Sequence, residues 1–157
     1  MTPHLLTERR QEKMNKEKAI KIIQQLKDEI NKNQIEEAQI YVQTWVIGGL
    51  KQLESKINGG FDFYPSYATY EDLFRDFIKH FFCINIDPAI RMYAIANIFS
   101  LNSRKLVVQL FETMFTLEHR IQICSKNGYI EWNNKWMTEK SRFEVLRREY
   151  APDCMRY

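Results

Sequence analysis

Apolar residues recur along this chain at the spacing of an α-helix, and nowhere do they alternate over a useful length at the spacing of a strand. Ala19, Ile22, Ile23, Leu26 and Ile30 make one stripe, and Val42, Trp45, Val46, Leu50, Leu53 and Ile57 make a second. A pattern with a period near 3.6 cannot be buried as a sheet, so the chain is expected to be an all-α bundle of five to six helices. Composition agrees. Five Gly and four Pro are few for 157 residues, and 45% apolar with 13% aromatic content is enough to close a hydrophobic core. The length suits a single helical domain spanning residues 1–157. Residues 9 to 18 are almost all charged or polar, so residues 1–18 are expected to fray.

Breaks between helices are marked by turn-forming residues. Asn31 to Asn33 stop the first helix, a second runs from near Ile35, and Asn58-Gly59-Gly60 end it. Gly48-Gly49 lies inside the second helix and weakens it by about 1 kcal/mol per Gly, unless something packs close there. Phe61-Asp62-Phe63-Tyr64-Pro65-Ser66-Tyr67 follows as an aromatic loop, read mainly as a plug for the bundle end and otherwise as a base-stacking surface. Thr69 with Asp72 resembles a capping box and opens a third helix over about 69–83. Asp87-Pro88 starts a fourth. A fifth runs from Asn102-Ser103 to about Ser125, closed by Asn127-Gly128. A last one carries Trp132, Trp136, Phe143, Leu146 and Tyr150 up to Ala151-Pro152. The expected core includes Val42, Trp45, Val46, Phe74, Phe77, Phe81, Val107, Leu110, Phe111 and Met114.

Net charge is +3, too mild for a dedicated nucleic-acid binder yet compatible with an acidic partner. The basic excess sits mainly in the N-terminal helix, where it reads as a solvated face. Three Cys stand far apart without a C-x-x-C pair, which fits a reducing compartment and argues against a zinc site or a disulfide framework. No metal and no cofactor is expected. No apolar run approaches the ~20 residues of a membrane span, and no signal peptide is visible, so a cytoplasmic location is expected.

The chemistry-bearing stretch is Arg75-Asp76-Phe77-Ile78-Lys79-His80. Arg carries a permanent charge that stabilises anionic oxygens, and His titrates near neutrality and moves protons. Together they have the parts needed to cleave a phosphodiester without a metal. On the helical wheel Tyr70, Leu73, Phe74, Phe77, Ile78 and Phe81 form the core side. Arg75 and His80, about 140° apart, bracket the outward side with Asp76 and Lys79 between them. An ordinary solvated face accounts for such a strip, and so does half of a composite site completed by a second subunit. Phe82, apolar and off the core stripe, favours some cover for this face.

The R-x4-H spacing with a polar residue after the Arg resembles the motif of the HEPN superfamily of all-helical ribonucleases. The likeness extends over about residues 73–95, with Phe82 where the toxin branch has Tyr and Ile86-Asp87 before the next helix. It implies an HEPN-like bundle acting on RNA, either as a metal-independent endoribonuclease or as a catalytically silent accessory protein. The associated setting is antiviral defence, in CRISPR-linked or toxin–antitoxin systems. In that reading His80 is the general base or acid at the ribose 2′-hydroxyl, Arg75 stabilises charge on the phosphate, and Asp76 orients the pair. The products are a 2′,3′-cyclic phosphate and a 5′-hydroxyl. The motif lies at the interface of a homodimer or higher oligomer. The alternative is a non-enzymatic helical interaction protein, an adaptor, inhibitor or self-assembling module.

Other constellations carry less. Glu118, His119 and Arg120 do not share one helix face and read as a surface cluster. Trp132 and Trp136 stand among Lys135, Lys140, Arg142, Arg147 and Arg148, and read first as a helix closing the core and second as a nucleic-acid or partner surface.

Overall fold

In a computed structural model of the chain, the stripes predicted for the first two helices become buried helix faces, Trp45 excepted. The structure describes residues 15–32, 40–58, 67–82, 89, 100–129, 132 and 137–151, with the backbone alone for 67–70, 81, 82 and 139. Six helices account for most of these: α1 (Lys16–Lys32), α2 (Ile40–Asn58), α3 (Tyr67–Phe82), α4 (Leu101–Met114), α5 (Leu117–Lys126) and α6 (Glu139–Tyr150). No strand occurs among the described residues, and the fold is all-α. The aromatic loop at 61–66, the Asp87-Pro88 helix start, the segment 1–14, Trp136 and the side chains of Phe81 and Phe82 lie outside the described residues.

The helices form where local chemistry closes their ends. Ser100, Thr116 and Thr138 are N-caps whose hydroxyls accept from the backbone N–H three residues on, at 3.1, 3.2 and 3.1 Å. Asn15 caps α1 in the same way. Gly128, at φ +89°, turns the chain out of α5, and the Tyr129 N–H returns to the Cys124 carbonyl.

Packing follows from the stripes. α1 lies on α2 and α4, α2 on α3, and α6 on α3, α4 and α5. Lys27 of α1 pairs with Glu54 of α2 at 3.0 Å, and the Gln43 side chain donates to the Ile30 carbonyl at 2.7 Å. The centre is aromatic. Phe74 of α3, Phe111 of α4 and Tyr150 of α6 meet with ring centroids 5.2 to 6.1 Å apart. All three are fully buried.

Of the ten expected core residues, Val42, Val46, Phe74, Phe77, Val107, Leu110, Phe111 and Met114 are buried. Trp45 is not. It is 42% exposed, because it stands about 90° from the middle of the buried stripe of α2, where the His80 ring of α3 stacks on it without enclosing it. The expected fifth helix is two helices, since Thr116 caps α5 after the chain extends at Phe115. The last helix begins at Glu139, later than expected. Trp132 lies ahead of it, buried against Phe111 and donating to Glu112 at 2.9 Å.

Candidate functional site

α3 buries Leu73, Phe74, Phe77 and Ile78, which leaves Arg75, Asp76, Lys79 and His80 off its core side. Arg75 and His80 are half-buried and engaged, where an outward strip was expected, because α2 and α6 flank α3. The two diverge. Arg75 meets the Glu71 and Asp72 carboxylates at 3.6 and 3.5 Å, and its guanidinium lies 5.6 Å from the centre of the Tyr150 ring. His80 turns to α2, where its ring stacks on Trp45 at 4.3 Å and 7°. Asp76 is exposed one helical turn before His80.

Three contacts tie His80 to α2. Its Nε2 is 2.7 Å from the Trp45 carbonyl oxygen, and the Trp45 indole N–H donates to the His80 carbonyl. Gly49 supplies the seat. A Cβ there would fall 2.4 Å from His80 Cδ2 and 2.8 Å from Cγ. The mid-helix glycine thus makes room for a side chain of the neighbouring helix. Because a carbonyl oxygen only accepts, Nε2 carries the hydrogen, and in the neutral ring Nδ1 is the acceptor and base. Nδ1 meets no hydrogen-bonding group among the described residues.

Among the described residues, two depressions border this ring. One is an open groove of about 730 Å³ lined by Ile40, Tyr41, Thr44, Trp45, Gln52 and His80. Ile40 and Tyr41 are 48% and 53% exposed, so the groove presents two aromatic rings to solvent. The other is a narrow crevice of about 20 Å³, the size of one water, where Gln52, Lys56, Asp76 and His80 are the polar walls. His80 and Gln52 border both. The structure therefore brings Asp76 and His80 to one crevice, with Lys56 as the cation beside them, and sets Arg75 apart.

A second polar cluster lies on the Arg75 side. His119 Nε2 is 2.7 Å from Glu71 Oε1, and the His119 ring stacks on Phe115 at 4.8 Å. His119 is buried, which corrects its reading as a surface residue; the Glu71 carboxylate supplies the polar contact that lets it leave water. Burial works to raise the Glu71 carboxyl. The hydrogen bond and charge of His119, with Arg75 and the nearby Tyr150 hydroxyl, outweigh it and hold Glu71 below its ordinary value. Burial, with Glu71 and Glu149 nearby, pushes the Tyr150 phenol well above its usual range.

Neither the Trp45–His80 stack nor the Glu71–His119 pair was derived from the sequence. Gly49 follows Trp45 by one turn, and that spacing is a local hint that α2 offers a seat beside its ring. Glu71 and His119 come from different helices, and no local pattern joins them. No family model matches the chain, and the comparisons with curated proteins and solved structures found no match.

Proposed function

We propose that the protein acts on RNA through the α2–α3 face centred on His80, as an HEPN-like module. The observation that carries this reading is the held imidazole: Nε2–H fixed on the Trp45 carbonyl, in a His80 that borders a groove containing two exposed rings. Exposed rings stack bases, and a positioned acceptor takes a ribose 2′-hydroxyl hydrogen. Arg75 is neutralised by Glu71 and Asp72, so its charge does not serve a phosphate at His80 within one subunit. The catalytically silent accessory form follows for the single chain. Cleavage on the HEPN pattern requires a second copy to bring its Arg75 to this His80, as in a homodimer.

The non-enzymatic interaction protein is the second reading. It is favoured by the apolar surface at Ile40, Tyr41 and Trp45, which suits the anchor of a protein interface. Titration of a labelled single-stranded RNA, with cleavage followed in EDTA, separates the readings. Saturable binding without cleavage is expected. Cleavage lost in both Arg75→Ala and His80→Ala establishes the ribonuclease, and no RNA binding leaves the interaction protein.

A further inference from the structure

We draw no further inference here: the strongest candidate, the open groove lined by Ile40, Tyr41 and Trp45 on the exposed side of α2, is an unpartnered apolar face, and nothing in the structure shows what covers it.

Discussion

Two adjacent glycines have opposite roles. At Gly49 an added methyl would meet the His80 ring at 2.4 Å, and at Gly48 it would meet nothing within 4 Å. Gly49→Ala should therefore destabilise the protein by about 1–3 kcal/mol through overpacking, and dislodge the imidazole. Gly48→Ala should stabilise it by up to about 1 kcal/mol through helix propensity. Urea unfolding of the two variants checks the difference in sign, and equal effects would contradict the seat assigned to His80. Glu71 yields a pH prediction. Its folded value lies below its unfolded one, so its contribution is present at neutral pH and is lost as the pH falls through the lowered folded value. Wild type should lose stability on acidification below about pH 4.3, the ordinary Glu value, more steeply than Glu71→Gln. At neutral pH the variant should be less stable by about 1 kcal/mol. Parallel urea midpoints across that range would show that the His119 pair adds nothing.

Among the elements, α6 holds the bundle together, through Tyr150 against Phe74 of α3 and Phe111 of α4. Tyr150→Ala should cost about 3–5 kcal/mol by leaving a ring-sized cavity, read as a fall in the thermal midpoint by circular dichroism. A change under about 1 kcal/mol would mean that α6 is not part of the core. The elements are also where the sequence is most and least legible. Periodicity placed the buried sides of α1, α2 and α3, because each holds a stripe long enough to fix its phase. It failed at Trp45, since a large amphipathic ring at the stripe edge looks like core until the neighbouring helix is known. It ran α4 and α5 together, because Thr116 reads as one polar residue inside an apolar run until its hydroxyl is seen capping the His119 N–H. The candidate site was legible only as Asp76 and His80. The partners that orient it, Trp45 and Gly49, belong to another helix, and long-range pairing leaves no local pattern. Arg75 shares the motif with His80, yet a wheel separation of about 140° sends the two side chains to different neighbours.

At the scale of the whole molecule, one all-α bundle carries two polar centres on opposite flanks of α3. The Glu71–His119–Arg75 centre ties α3 to α5 and α6 and belongs to stability. The His80 centre opens to solvent between α2 and α3, and there the functional proposal rests. Among the described residues no helix is long and apolar enough to cross a membrane. The account turns on the state of one ring: His80 held by its Nε2–H, with Nδ1 offered to RNA. Side-chain nitrogen NMR of the full chain, before and after addition of saturating oligo(U), reads that state directly. The account predicts a His80 ring protonated at Nε2 in the free neutral form, an Nδ1 shift that moves on adding RNA, and a His119 signal that stays in place. A His80 protonated at Nδ1, or an Nδ1 shift that saturating RNA leaves untouched, would contradict it.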